Sequence, residues 1–409
     1  MKKILLLVFL GMMMDAWPQY LRYHSADSVN GKPRHEGFIY VKMKLNGVYD
    51  ISGGLQGSDV FNIGQINVWD DDNTPNIWMD LYQSQMRFSG SRQIGNRTAT
   101  GFVEGDFWGG NGHFRLRHAY VRYWFFQFGQ DWSFFGDKNV WPNLFDWDGP
   151  PSGVWSRAPH LQLFWERPNN WRYEFGIARQ TSSDINFSAS GDPEVQPPTG
   201  HPYPDFIAAI NKGTSWGHWR FTAMVRRIAY ESSTEATSYA TGWGVTTSGF
   251  VKTHPLVNNN FQFQFVAGAG ISSYLASFGG YNMNGLPNGK GELQTIPAVG
   301  GWIAYEHYLS QRWHWNICGG FSELRTGTIA HYPYESEYLK LSNGEVTFRG
   351  LYMVGNIMYD PFENFTVGLE YNFGYKKNIY EGTIEDTANS KIEKSRNANR
   401  ISFGLFYNF

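Results

Sequence analysis

The end of the chain alternates without interruption. After Arg400, residues Ile401, Phe403, Leu405, Tyr407 and Phe409 share one face of an extended strand, and Ser402, Gly404, Phe406 and Asn408 share the other. Period-two alternation of this kind predicts a strand exposed to two different media rather than a helix. The pattern recurs upstream. Phe365, Val367, Leu369, Tyr371, Phe373 and Tyr375 alternate with Thr366, Gly368, Glu370, Asn372 and Gly374. Phe261, Phe263, Phe265, Ala267 and Ala269 alternate with Gln262, Gln264, Val266, Gly268 and Gly270. One face suits lipid and the other water.

Followed along the chain, the pattern predicts strands near 38–52, 78–90, 97–108, 113–124, 125–132, 156–166, 171–182, 204–213, 216–231, 238–253, 259–275, 293–309, 312–325, 348–359, 363–377 and 397–409. The connections alternate in length. Short ones fall at 91–96, 124–125, 167–170, 213–217, 254–258, 310–311 and 360–362; long ones at 53–77, 133–155, 183–203, 276–292, 326–347 and 378–396, with shorter outer connections at 109–112 and 232–237. Short turns at one end and long loops at the other are the rule for membrane barrels, and a sandwich gives no reason for it. The expectation is an all-β, transmembrane, antiparallel up-and-down barrel of about sixteen strands, with the third outer loop folded inward.

Composition agrees. Aromatic residues make up 18% of the chain, Gly numbers 46 and charged residues only 17%, while mean hydropathy is −0.43. Rings for the interfaces, apolar residues spread singly and glycines at bends are what such a wall needs. The only continuous apolar run, Ile4 to Met14 after Lys2 and Lys3, is too short to span a bilayer and suits an export signal. Residues 1–16 are expected to be that signal, 17–37 an N-terminal periplasmic segment and 38–409 the barrel. A net charge of −2 excludes the basic excess of a nucleic-acid binder. Cys318 has no second cysteine with which to form a disulfide or metal site, so no metal or cofactor is expected.

Two sets of residues carry candidate chemistry. Residues 133–155 hold Asp137, Asp146 and Asp148 among Trp141, Pro142, Phe145, Trp147, Pro150 and Pro151. A loop so stiff and aromatic can pack against the wall and narrow the lumen. The second set faces it by parity: Arg87, Arg115, Arg117, Arg172, Arg220 and Arg226, opposite apolar neighbours such as Phe114, Leu116, Trp219, Phe221 and Val225. An Arg facing lipid at the midplane costs about 2–4 kcal/mol, so these belong in water, where they sort anionic solutes or pair with Glu104, Asp106 and Asp131 to brace the wall. Both roles are compatible.

The run Arg115-Leu116-Arg117-His118-Ala119-Tyr120, followed by Phe128-Gly129-Gln130-Asp131-Trp132-Ser133, Asp146-Trp147-Asp148-Gly149-Pro150 and Arg157-Ala158-Pro159, resembles the DcaP-like family of outer-membrane porins. The resemblance implies a homotrimer of sixteen-stranded barrels that admits small anions, dicarboxylates in the best-known relatives, through an arginine-lined pore in outer-membrane lipid. No heptad segment precedes Phe38, so a periplasmic coiled coil is not expected, and the third loop carries only Lys138 where phosphate-selective porins are lysine-rich.

Other functions leave weaker traces. His113, His118, His160 and His201 lack an orienting serine partner and HExxH does not occur; the GxSxG match at 213–217 falls in a short strand-to-strand connection rather than a strand-to-helix elbow, so no catalytic residue is expected. An outer-membrane sugar channel or surface glycan-binding barrel would use tryptophans as stacking platforms. Trp165, Trp171, Trp219, Trp313 and Trp315 instead fall on the outward parity, which suits interface girdles.

Overall fold

The computed structural model describes residues 21–408 apart from 54, 56–59, 70–73, 111, 181–202, 231–236, 255–256, 280–282, 289–291, 328–344 and 385–386. The expected signal, Phe409 and most of two long connections, 183–203 and 326–347, lie outside the described residues.

The strands close into one 16-strand antiparallel barrel. In chain order they are β1 (His35–Ser52), β2 (Asn76–Asp80 continued by Gln85–Ile94), β3 (Arg97–Asp106), β4 (Arg115–Tyr123), β5 (Phe126–Trp132), β6 (Arg157–Arg167), β7 (Trp171–Ala178), β8 (Asp205–Thr214), β9 (Gly217–Tyr230), β10 (Ser238–Lys252), β11 (Asn260–Ala269), β12 (Pro297–Tyr308), β13 (Trp313–Arg325), β14 (Glu345–Phe362), β15 (Phe365–Ile384) and β16 (Thr387–Asn408). Each pairs with the next. The cylinder closes where Asn408 of β16 meets Lys42 of β1 and Asn399 meets Ser52. The two parts of β2 are one wall strand, since Asn76–Asp80 pairs with the far half of β1 and Gln85–Ile94 with its near half. A short N-terminal strand, Leu21–His24, adds to β1 at Glu36–Ile39.

Alternation does the sorting along each wall strand. On β9, Trp219, Phe221 and Val225 are 41%, 37% and 53% exposed outward, while Arg220, Thr222, Met224 and Arg226 between them are buried inward. Leu351, Met353, Ile357, Leu369 and Tyr371 continue the outward apolar band. An apolar surface of this extent is stable against hydrocarbon rather than water. Among the described residues no helix is long and apolar enough to cross a membrane. The short turns use backbone geometry that tight hairpins favour, with positive φ at Gly95, Trp124, Asn169, Asn170 and Asn364.

Several boundaries differ from the sequence reading, three of them for a clear physical reason. The polar stretch 378–396, expected to be a loop, is strand over 378–384 and 387–396: β15 and β16 run on past the apolar band, joined by the pairs Lys391–Glu381 and Lys377–Glu393. Alternating cross-strand charges support a ladder in water as well as apolar pairs do in lipid, and composition read that ladder as a loop. The strand expected to reach 275 stops at Ala269, because Gly270 turns the backbone (φ +75°) into the one-turn helix Ser272–Tyr274. The strand expected from 293 begins at Pro297, and Leu293–Thr295 instead pairs with Gly285–Pro287.

The interior is also not uniformly polar. Segments 60–69, 133–155 and 270–296 bring Phe61, Ile63, Ile66, Phe135, Val140, Tyr274, Leu275 and Phe278 against inward wall residues such as Ile207, Met224, Ile228, Trp302, Phe348 and Tyr352, and all are buried. Cys318 is buried in the same packing. On this side long connections plug the barrel with an apolar core. Among the described residues, two cavities lie against β1–β10.

Candidate functional site

Residues 133–155 connect β5 to β6 and bond to the inner faces of distant strands. Backbone N–H groups of Phe145 and Asp146 donate to the Glu370 carboxylate of β15 (2.7 and 3.1 Å), and Asn356 Nδ2 of β14 donates to the Asn143 carbonyl (3.0 Å). The Val154 N–H donates to Gln264 Oε1 on β11 (2.7 Å), and Ser152 Oγ to the Gly301 carbonyl on β12 (2.8 Å). Lys44 Nζ on β1 donates to the Phe145 carbonyl (2.6 Å). Gly149 is required here: φ is +70°, and a Cβ would sit 2.0 Å from the Trp141 ring, a conformation and a contact that only Gly tolerates.

The segment's aspartates tie it to its surroundings. Asp146 Oδ2 accepts the Phe61 N–H (2.5 Å) and Oδ1 the Asp148 N–H (3.0 Å). Asp137 accepts from Ser248 Oγ at 2.8 Å and lies 2.8 Å from His218 Nε2.

Opposite lies a ladder of charges on β2–β4. Arg87 pairs with Glu104. Arg115 grips Asp106 through both arms of its fork (3.0 and 2.7 Å), and Arg117 spans the two carboxylates, Nε to Glu104 (2.9 Å) and Nη1 to Asp106 (2.7 Å). The carboxylates are nearly inaccessible, while side-chain exposure is 31% for Arg87, 29% for Arg115 and 14% for Arg117. The guanidiniums therefore cover the acids and present their own edges to the lumen. Arg117 reaches both because of a β-bulge: Glu104 pairs with His118 but Gly105 pairs with Leu116. The extra residue re-aims the strand, so the adjacent Arg117 and His118 both turn inward. His118 Nδ1 then sits 3.1 Å from Asp131, which also accepts from Lys138 Nζ (2.8 Å).

A cavity of about 590 Å³ lies between this ladder and the segment, lined by Lys42, Arg87, Arg117 and Lys138 against the carboxylates Glu104 and Asp131, with Phe102, Trp132, Trp141, Trp147 and Trp155. Trp155 is sandwiched between Trp132 and Trp141, with ring centroids 3.7 and 3.5 Å away. Lys42 Nζ sits 4.0 Å from the Trp147 ring. A second cavity of about 530 Å³ continues toward the short-turn end, lined by Arg122, Asp137, Arg172, Glu174, Asn211 and Arg220 among others.

The sequence-predicted residues thus separate. Arg87, Arg115, Arg117, Glu104, Asp106 and Asp131 come together, with Lys138 bridging from the segment. Arg172 and Arg220 converge on Glu174 (2.8 Å each), and Arg220 also donates to the Phe134 carbonyl (2.5 Å). Arg226 departs from its expected place on the lumen. Its side chain is fully buried, bonded to Asp205 (3.1 Å) and the Gly270 carbonyl (3.0 Å) beneath segment 270–296; parity gave its side of the wall but not the plug lying over it. Asp146, expected at a constriction, is buried, bonded to the Phe61 and Asp148 N–H groups. Lys42, Lys44, Arg122, Arg157, His118 and Glu370 were missed. For Lys42 and Lys44 the signal was present, since they alternate with Val41, Met43 and Leu45. For His118 it was not, because the bulge reverses its parity.

No protein-family model and no curated protein matches the chain. Solved structures do. The outer-membrane channel DcaP of Acinetobacter baumannii is similar with a TM-score of 0.70 at 19% identity, over 92% of this chain and 97% of that one. The anion-selective porin from Comamonas acidovorans has a TM-score of 0.55 at 10% identity, over 92% of this chain and 100% of that one. OmpT of Vibrio cholerae, in its trimer form, has a TM-score of 0.50 at 12% identity, over 91% and 99%. The fold of this chain is the closed barrel that outer-membrane channels and porins share.

Proposed function

We propose that the chain is an exported outer-membrane porin, a homotrimer in the membrane, through which small anions of the dicarboxylate kind diffuse passively. One observation carries the reading: Lys42, Arg87, Arg117 and Lys138 line the 590 Å³ cavity with two carboxylates, Glu104 and Asp131, and cations still outnumber carboxylates when the adjoining Arg115 and Asp106 are included. Low-dielectric walls focus such an excess into a potential that draws anions in and turns cations away. The bonds from residues 133–155 to β11, β12, β14 and β15 support an inward fold of this segment, which makes it the constriction. An anion-selective porin and a trimer form among the similar structures are consistent with both parts of the proposal. The reading gives the lumen binding and passage and no catalysis.

The tryptophans favour a second reading, a sugar channel, because indole faces bind sugar rings. Here Trp155 has both faces covered by Trp132 and Trp141, and Trp132 also carries the Arg157 guanidinium 4.9 Å from its centroid. Faces already stacked cannot form a platform. Liposome swelling separates the two readings: faster entry of dicarboxylates than of maltodextrins of similar size supports the anion porin, and the reverse order supports the sugar channel.

A further inference from the structure

The second cavity contains a cation that the constriction does not use. Arg122 of β4 and Arg172 of β7 both rest on the ring of Phe164, with guanidinium carbons 4.3 and 4.6 Å from its centroid. Their surroundings differ. Arg172 is held through Nε by Glu174 (2.8 Å), and Glu166 lies 3.6 Å from its Nη1. Arg220 beside it is a buried strut bound to Glu174, Asn211 and the Phe134 carbonyl. Arg122 lines the same 530 Å³ cavity, yet among the described residues no carboxylate lies within ion-pair distance of it. The ring fixes the guanidinium plane without cancelling its charge, so the N–H edges of the fork stay free for a planar or tetrahedral oxyanion.

We infer that Arg122 and Arg172, seated on Phe164, form a second anion subsite on the short-turn side of the constriction, so that a carboxylate, sulfate or phosphate group leaving the Arg87–Arg117 cavity is received before release. The inference rests on the anion-porin reading and adds a relay to it. Its two stations are separated by the Lys138–Asp131 pair, whose residues line both cavities. Two weak sites in series favour entry without trapping the solute, since each need bind only loosely.

Sulfate block of the chloride current tests this. The protein is added to one chamber of a planar bilayer so that insertion runs one way, and sulfate is titrated from each side in turn. Arg122 is no strut, so Arg122→Gln is expected to fold. It should raise the half-blocking sulfate concentration from the short-turn side by about tenfold, the loss of one charge-assisted fork, and leave block from the long-loop side unchanged. Phe164→Leu keeps both charges but removes their seat, and should raise it by less. If neither variant changes block from the short-turn side, or if both sides change equally, there is no separate subsite. A wild-type channel that prefers cations overturns the anion-porin reading itself, an outcome visible before any variant is made.

Discussion

Two groups of inward arginines look alike in the sequence and behave differently in the barrel. Arg400 and Arg226 each stand beside an apolar residue, Ile401 and Val225, and Arg115 and Arg117 both stand beside Leu116. Yet Arg400 is fully buried, bonded to Asp50 (2.6 and 2.9 Å) beneath Phe61, and Arg226 is held likewise under Tyr274. Arg87 and Arg115 keep about a third of their side-chain surface open to the lumen. The deciding factor is not the arginine or its strand but whether a long connection folds back over it. Under a plug the ion pair is a brace that sets no field in the pore. Where no plug lies over it, the same pair leaves charge for solutes to meet.

The largest expected effect breaks a brace. Asp50→Ala strands the Arg400 guanidinium in a dry interior, and removing one partner of a buried pair costs about 3–5 kcal/mol. The barrel should lose its heat-modifiable gel mobility at a clearly lower temperature, while folded channels keep their ion preference. Unchanged unfolding would show that water reaches Arg400 and that the plug is not closed.

Next is the tether of residues 133–155, the segment proposed as the constriction. Glu370→Ala removes the acceptor for the Phe145 and Asp146 N–H groups, at a cost of about 1–3 kcal/mol for each buried donor left unmet. Single-channel records should become noisier and their mean conductance higher. Deleting 138–146 should raise conductance further, because the narrowest section widens. Conductance unaffected by that deletion would place the segment away from the solute path.

Arg226→Gln is expected to have the smallest effect on selectivity. It removes a positive charge from the lumen parity but not from the lumen, so reversal potentials in a salt gradient should match wild type. A shift as large as that from an open arginine would remove the distinction between brace and field.

The fold was legible because its main determinant, two-faced alternation with connections of unequal length, is local and repeats in every wall strand. The split between β4 and β5, the outward rings of Trp219 and Phe221 and the pairing of Arg115 with Asp106 all follow from it. What stayed hidden was non-local or parity-breaking. The bulge at Arg117 moves His118 to the lumen, and nothing in the run of residues 115–120 announces it. The burial of Arg226 depends on Tyr274, far along the chain, and the charged extension of β15 and β16 has the composition of a loop. Glu370 looked like one polar alternation among many, and its role depends on where Phe145 comes to rest.

On the proposed reading the open arginines give the lumen its sign, which reversal potential across a salt gradient measures. The wild-type channel should prefer chloride over potassium. Replacing Arg115 and Arg117 together by Gln uncovers Glu104 and Asp106 while keeping side chains of similar polarity, so the potential should move toward cation preference. That shift should shrink as salt rises and the Debye length falls from about 10 Å at 0.1 M to about 3 Å at 1 M. A cation-selective wild type, or a double variant with the same reversal potential as wild type, would contradict the account and leave these arginines as braces no different from Arg226 and Arg400.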